Sequence, residues 1–141
     1  MYLDSAYLAK IYLNEADSGR VRELLKGVNS VVSSIWAVCE VACVFHRQLR
    51  EGWLTAQQYQ ELLLAFSEHV NSGVWTLAPI TERILKRSVS LLSSSPSNVC
   101  IRAGDSIHLT TAQDLGERDI WTNDRHMLAA APHFGLIGRS V

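Results

Sequence analysis

The sequence predicts an α/β fold with a parallel β-sheet flanked by helices on both faces. Short apolar segments alternate with helical repeats along the whole chain, which favours strands that are buried between two helical layers. The length of 141 residues is enough for one hydrophobic core. We therefore expect residues 1–141 to form a single α/β domain.

Five segments predict strands and seven repeats predict helices. The strands are expected at 2–3, 30–33, 74–77, 119–122 and 134–137. With their caps, the helices are expected at 4–14, 17–27, 34–50, 55–71, 81–92, 105–115 and 124–131. The serine-rich segment 93–97 predicts a loop, and the helices over 34–50 and 55–71 predict an antiparallel pair.

Composition and charge limit the classes of protein. The formal net charge is −1, so no overall basic field predicts a nucleic-acid partner, although a local basic patch would suffice. The chain lacks both an apolar run of about 18 residues, as a membrane span needs, and the basic start of a signal peptide. A cytoplasmic protein with no membrane partner is expected.

The pattern of the three cysteines predicts neither a zinc site nor a catalytic thiol. Cys39 and Cys43 lie four residues apart on an expected helix, and no further Cys/His cluster has the spacing of a zinc site. We interpret these two and Cys100 as buried, reduced thiols that pack as small hydrophobic groups.

Four acidic residues lie in segments that otherwise have the pattern of a core. Asp4 and Asp124 directly follow expected strands, and Asp105 stands in the first turn of an expected helix. Glu40 lies six residues, or roughly 9 Å, into its helix. Because sites in parallel sheets form beyond the carboxyl ends of the strands, we expect the four side chains at one rim.

Each acid also has a structural interpretation. Asp4, Asp105 and Asp124 could cap the helices that they begin, and for any one of them alone capping is the simpler account. Glu40 has no such role, and a lone carboxylate on an apolar helix needs a cation, a proton or a partner. Among the individual residues, Glu40 therefore provides the strongest chemical evidence for a metal site.

Four carboxylates at one rim favour a bound cation, because they otherwise raise each other's pKa values. A ligand set of oxygens alone suits Mg²⁺ or Mn²⁺ rather than zinc. The neighbouring hydroxyls of Ser5, Ser106 and Thr122 are expected to hydrogen-bond the carboxylates or metal-bound waters, with helix capping as the alternative.

Arginine side chains near the acids are candidates for binding substrate phosphates. Arg125, next to Asp124, is the best single candidate, with an ordinary surface arginine as the alternative, and the other candidates are Arg47, Arg50 and Arg102. His108 falls one helical turn after Asp105, where it could assist the site, but we favour its interpretation as a packed core histidine.

The four acidic segments together resemble the PIN-domain endoribonucleases, specifically the VapC-type toxins of type II toxin–antitoxin systems. The resemblance is carried by Leu3-Asp4-Ser5-Ala6 before an apolar helix, by Ser34 with Glu40 six residues on, by the Arg-x-x-Asp-x-x-His-Leu-x-x-Ala pattern over 102–112, and by Thr122-Asn123-Asp124-Arg125. Each segment alone is weak, but the ordered set covers nearly the whole chain. Ser5 stands where the family usually has Thr, and Asp124 occupies the most variable of the four acidic positions.

The resemblance implies a single PIN-like domain and a metal-dependent endoribonuclease. Asp4, Glu40, Asp105 and Asp124 would bind Mg²⁺ or Mn²⁺, and RNA would be the substrate. It also implies a VapB-type antitoxin as partner, for which the helical pair over 34–70 could form a groove, and a homodimer. A catalytically silent PIN-fold module that binds RNA or protein is the alternative of a different class.

Overall fold

The computed structural model describes residues 1–141, with five strands, seven α-helices and one 3₁₀ helix. The strands are β1 (Tyr2–Leu3), β2 (Val31–Ser34), β3 (Trp75–Ala78), β4 (Asp119–Trp121) and β5 (Ile137–Arg139). The helices are α1 (Ser5–Tyr12), α2 (Ser18–Leu24), α3 (Ala37–Arg50), α4 (Ala56–Asn71), α5 (Glu82–Ser94), α6 (Ala103–Asp114) and α7 (Arg125–Ala130), and the 3₁₀ helix is Ala131–Phe134. No helix combines the length and the apolar character needed to cross a membrane.

All five strands form one parallel sheet in the order β3-β2-β1-β4-β5. The chain runs outward from the central β1 through β2 to β3, and then returns to place β4 on the other side of β1. The strand order therefore reverses between β1 and β4, where a crevice opens beyond the carboxyl ends of the strands. Asp4 and Asp124 lie close behind the two strands that flank this crevice.

Helices cover both faces of the sheet, as the two neighbouring residues of β1 show. Leu3 packs in a core with residues of α1, α3 and α4, whereas Tyr2 packs in a second core with residues of α6 and α7. Successive side chains of a strand point to opposite faces, so β1 is buried on both sides. The predicted fold class is confirmed.

An aromatic cluster fixes the long helices against the sheet. The hydroxyl of Tyr12 accepts a hydrogen bond from Trp75 Nε1 at 2.8 Å and lies 2.6 Å from His69 Nδ1. Its ring meets Phe45 of α3 and Phe66 of α4 edge-on, with centroids 5.9 and 5.6 Å apart. This packing ties α3, which carries Glu40, to α1, which follows Asp4.

The start of α3 differs from the prediction. Ser34 does not cap the helix, because it continues β2 beside Ala78, and the helix begins at Ala37. Glu40 therefore lies in the first turn of α3 and not six residues into it. From this position its carboxylate reaches the pocket at the rim of the sheet.

The prediction that the cysteines are buried is wrong, since Cys39, Cys43 and Cys100 are all exposed. Apolar residues surround much of α3, but the side that faces the core carries Ala37, Val41 and Phe45. Cys39 and Cys43 lie on other sides of the helix, and Cys100 lies in the loop before α6.

Several smaller boundaries also differ, among them the start of α6, which lies at Ala103 instead of Asp105. Helix α5 includes Ser93 and Ser94, which were expected in a loop. Pro132 lies at the beginning of the 3₁₀ helix instead of simply ending α7. Phe134 belongs to that 3₁₀ helix, so the last strand begins only at Ile137.

Candidate functional site

One open pocket of about 360 Å³ at the crevice contains all four predicted acids. Its lining consists of Asp4, Ser5, Ala6, Glu40, Cys43, Val44, Arg47, Arg102, Gly104, Asp105, His108, Asp124 and Met127. The carboxylates come from four separate places in the chain. The topology thus brings together residues that sequence places up to about 120 positions apart.

Asp4 is the most buried of the four acids, with 3% of its surface exposed. Its Oδ1 accepts a hydrogen bond from the Tyr7 backbone at 2.8 Å and caps α1, and its Oδ2 accepts from Thr122 Oγ1 at 2.5 Å. Burial raises the pKa of the Asp4 carboxyl, and these hydrogen bonds oppose the rise. A nearby cation would favour its ionised form.

Asp105 and Asp124 are joined by one arginine. Asp105 Oδ2 accepts from both the backbone N and Nε of Arg102, at 3.1 and 3.0 Å, while Arg102 Nη2 donates to Asp124 Oδ2. Asp124 Oδ1 caps α7 by accepting from the His126 and Met127 backbone at 2.7 and 3.3 Å. Burial opposes ionisation of Asp124, but the two backbone N–H groups and the guanidinium hold its pKa below the usual value.

Glu40 reaches the pocket across a gap that Gly104 leaves open. A Cβ at position 104 would lie only 2.6 Å from Glu40 Oε1, so the glycine of α6 lets the carboxylate approach closely. Glu40 Oε2 accepts from Ser5 Oγ and lies 2.9 Å from His108 Nε2. Burial opposes its ionisation, but these two partners hold the pKa of Glu40 below its ordinary value.

His108 supports Glu40 from inside the protein. The ring is 1% exposed, and Nε2 lies 2.8 Å from Ser5 Oγ as well as 2.9 Å from Glu40 Oε2. Because a carboxylate can only accept, Nε2 carries the proton, and Nδ1 can accept from the Tyr2 hydroxyl at 2.9 Å. The core interpretation of His108 is therefore incomplete, since the buried ring also contacts two residues of the pocket.

The donor set fits a hard divalent cation. The acidic ligands of the pocket are all carboxylates, which Mg²⁺ and Mn²⁺ prefer. No three acidic, histidine or cysteine side chains are arranged closely enough to hold a metal ion as they stand. Each of the four carboxylates instead accepts a hydrogen bond from a protein group. Chelation by several of them requires some of these side chains to move.

The PIN domain family model matches residues 1–132. The chain belongs to the PIN domain family. The resemblance drawn from the four acidic segments is thereby confirmed. No curated protein sequence matches this PIN domain.

Solved structures with similar folds have low sequence identity to this PIN domain. VapC20 of Mycobacterium tuberculosis, described as a sarcin–ricin loop cleaving toxin, has a TM-score of 0.73 at 14% identity, covering 92% of this chain and 93% of its own. FitAB bound to a DNA fragment has a TM-score of 0.71 at 14% identity, covering 99% and 93%. A toxin–antitoxin complex from Klebsiella pneumoniae has a TM-score of 0.61 at 18% identity, covering 99% and 94%. These likenesses show a shared fold.

The predicted hydroxyl residues of this PIN domain divide into two groups. Ser5 and Thr122 donate to the carboxylates of Glu40 and Asp4. Ser106 instead donates to the backbone oxygen of Ala103 at 2.9 Å, one turn back in its own helix. It hydrogen-bonds no carboxylate in this arrangement.

The arginines also differ from their predicted ranking. Arg125 is exposed and does not line the pocket, whereas Arg102 and Arg47 do. Sequence reasoning missed the role of Gly104, for which its position next to Asp105 was the available signal. It found His108 by the one-turn spacing from Asp105 but favoured core packing over a role at the site.

Replacement of His108 tests its support of Glu40. In His108→Leu we expect Mn²⁺ affinity, measured by titration calorimetry, to fall about tenfold, the usual cost of losing a partner that orients a ligand. His108→Gln retains a donor in place of Nε2, and its affinity should stay within about threefold of the unmodified protein. Unchanged Mn²⁺ affinity in His108→Leu would mean that His108 serves only in packing. The Tm of each variant in the absence of metal controls for correct folding.

Proposed function

We propose that this PIN domain is a metal-dependent endoribonuclease that hydrolyses RNA phosphodiester bonds as the toxin of a VapBC-type pair. The observation that carries the proposal is the meeting of Asp4, Glu40, Asp105 and Asp124 in one pocket at the reversal of a parallel sheet. Solved structures of similar fold include a toxin and a toxin–antitoxin complex. We further propose that residues 1–141 act as one nuclease domain in the cytoplasm.

The four carboxylates would hold Mg²⁺ or Mn²⁺. When bound, such an ion supplies a Lewis acid for a phosphoryl oxygen and lowers the pKa of a bound water. Asp4 and Glu40 are already oriented by hydrogen bonds from Thr122, Ser5 and His108. These contacts orient the two carboxylates toward the pocket in the metal-free protein.

The charge of the pocket makes RNA binding dependent on the cation. Four carboxylates face two guanidinium groups, those of Arg47 and Arg102. An RNA phosphate would be repelled by this excess of negative charge until a divalent ion offsets it. Cleavage that continues in EDTA would contradict the proposal.

A groove beside the pocket offers a path for the RNA strand. It has a volume of about 580 Å³, lies between α3 and α4, and is lined in part by Arg47, Arg50 and Tyr59. Cys43, Val44 and Arg47 line both the groove and the pocket. We propose that the two arginines contact RNA phosphates here and that Tyr59 stacks on a base.

The same groove is our proposed site for the antitoxin. Its floor includes Ala42, Val44 and the exposed Cys39 and Cys43, an apolar surface that suits an amphipathic partner segment. An antitoxin in this groove would cover the entrance to the acidic pocket. Inhibition by competition with RNA follows from this overlap.

A homodimer is proposed through α5. Leu85, Val89 and Leu92 recur at helical spacing and are all exposed, with Val89 67% exposed. A second copy of the chain could cover this stripe, since exposed apolar stripes often mark interfaces. Val89→Glu is expected to convert a dimer into a monomer in light scattering, and an unchanged mass would exclude this surface.

Expression in bacteria tests the toxin function. The unmodified protein is expected to arrest growth, and coexpression of the small protein encoded beside it should relieve the arrest. Asp4→Asn removes a buried charge without changing the shape of the side chain, so this variant should be harmless at the same expression level. Harmless accumulation of the unmodified, folded protein would favour the silent binding module.

A further inference from the structure

Arg102 sits at the mouth of the pocket and contacts two of the four carboxylates. Its position just before α6 lets its backbone N–H and its Nε reach the same oxygen of Asp105. Its Nη2 donates to Asp124, which lies 22 residues further along the chain. One guanidinium thus links the first turn of α6 to the start of α7.

The contacts of Arg102 occupy carboxylate oxygens of Asp105 and Asp124 that a cation would otherwise bind. Both oxygens of Asp124 have protein partners, since Oδ1 caps α7 and Oδ2 accepts from the guanidinium. Oδ2 of Asp105 accepts from two nitrogens of Arg102. A guanidinium and a divalent cation on the same oxygen atoms repel each other, so the two are expected to compete.

We infer that Arg102 is the protein's own counter-ion for the metal-free pocket, and that a divalent cation displaces its guanidinium from Asp105 and Asp124. The inference rests on the proposed function, in which the pocket binds such a cation. The Arg102 side chain is 61% exposed, so it can turn outward without disturbing the core. After displacement its charge stands at the rim, where a substrate phosphate would arrive.

Competition has two measurable consequences, because coupling between two bound groups is reciprocal. Arg102 should stabilise the metal-free protein by offsetting repulsion between Asp105 and Asp124. It should also weaken the affinity for the cation, which must replace the pairs that the arginine makes. Removal of Arg102 is therefore expected to lower stability without metal and to tighten metal binding.

Three variants distinguish the link that Arg102 makes between Asp105 and Asp124 from the effect of its charge alone. Arg102→Gln removes both, and we expect its Kd for Mn²⁺ to fall about tenfold, from the loss of two partly exposed ion pairs. Arg102→Lys keeps the charge but lacks the planar fork that spans both carboxylates, so its Kd should fall about threefold. Arg125→Gln removes a charge next to Asp124 that contacts neither carboxylate, and its Kd should change less than about twofold.

Thermal melting and NMR supply readouts that do not depend on activity. In EDTA the Tm of Arg102→Gln should fall by about 3 °C, and saturating Mn²⁺ should raise it by more than it raises that of the unmodified protein. In the unmodified protein, the Arg102 Nε–Hε signal, assigned by its absence in Arg102→Lys, should shift as Mg²⁺ is added, to the position of a solvated guanidinium.

The outcomes distinguish this inference from the proposed function. If the unmodified protein binds neither Mn²⁺ nor Mg²⁺, the proposed function fails and the inference fails with it. If it binds Mn²⁺ but Arg102→Gln binds no more tightly, the inference alone is overturned. The same holds if Arg102→Lys matches the unmodified protein, or if the Nε–Hε signal stays in place as Mg²⁺ saturates the pocket.

Discussion

Replacement of Asp105 by Asn is expected to abolish metal-dependent RNA cleavage while leaving the metal-free fold intact. The change removes a charge but keeps an oxygen that can accept from the Arg102 backbone, so the start of α6 is preserved. Loss of a partner behind a metal ligand costs about 10- to 100-fold, and loss of the ligand itself should cost at least the upper value. Cleavage of a labelled RNA in Mn²⁺ measures the effect.

Asp119→Asn provides the matched control for Asp105→Asn. Asp119 is another acid close to Asp124 in the sequence, but it begins β4 and pairs with Arg139 Nε at 3.0 Å, outside the pocket. This variant should retain cleavage. The Tm of Asp105→Asn in EDTA is expected to stay close to that of the unmodified protein, because weaker repulsion among the carboxylates offsets the loss of the ion pair with Arg102. A marked fall in that Tm would identify Asp105 as a structural cap.

Replacement of Glu40 by Gln is expected to have a comparable effect on cleavage. Hydrogen bonds from His108 and Ser5 hold the pKa of Glu40 low, so the side chain offers a full negative charge at neutral pH. Glutamine has nearly the same shape without that charge. We expect cleavage to fall by about 100-fold or more, together with a loss of the thermal stabilisation by Mn²⁺.

Glu68→Gln is a suitable control for the Glu40 variant. Glu68 is an exposed residue of α4 and does not line the pocket, so its replacement should alter neither cleavage nor the response to Mn²⁺. Full cleavage by Glu40→Gln would remove Glu40 from the proposed site. It would leave the three aspartates as the remaining ligands.

Local patterns in the sequence were sufficient to predict most of the fold. Thr55 and Thr81 each cap a helix as expected, with Thr55 and Gln58 in a reciprocal capping box. The short strands were found because parallel strands between two helical layers are apolar. Ser34 was misassigned because its pairing with Ala78 in β3 is a contact between distant segments, which a local pattern does not reveal.

The meeting of the acids was predictable, but their partners were not. Asp4 and Asp124 follow strands, so the geometry of a parallel sheet was enough to place them at one edge. The bond from Tyr2 to His108 spans 106 residues, and the one from Arg102 to Asp124 spans 22. The exposed cysteines of α3 show the same limit, because a helix with apolar residues on several sides does not reveal which side faces the core.

The central position of β1 also determines when the pocket can exist during protein synthesis. The hydroxyl of Thr122 bonds Asp4 across 118 residues, and β1 pairs with β4 through Leu3 and Trp121. A nascent chain therefore exposes Asp4 long before the ribosome has made the strand that completes its surroundings. Assembly of all four acids must wait until residue 124 has emerged, so the pocket of the proposed nuclease cannot act on the ribosome or messenger before that residue has left the ribosome.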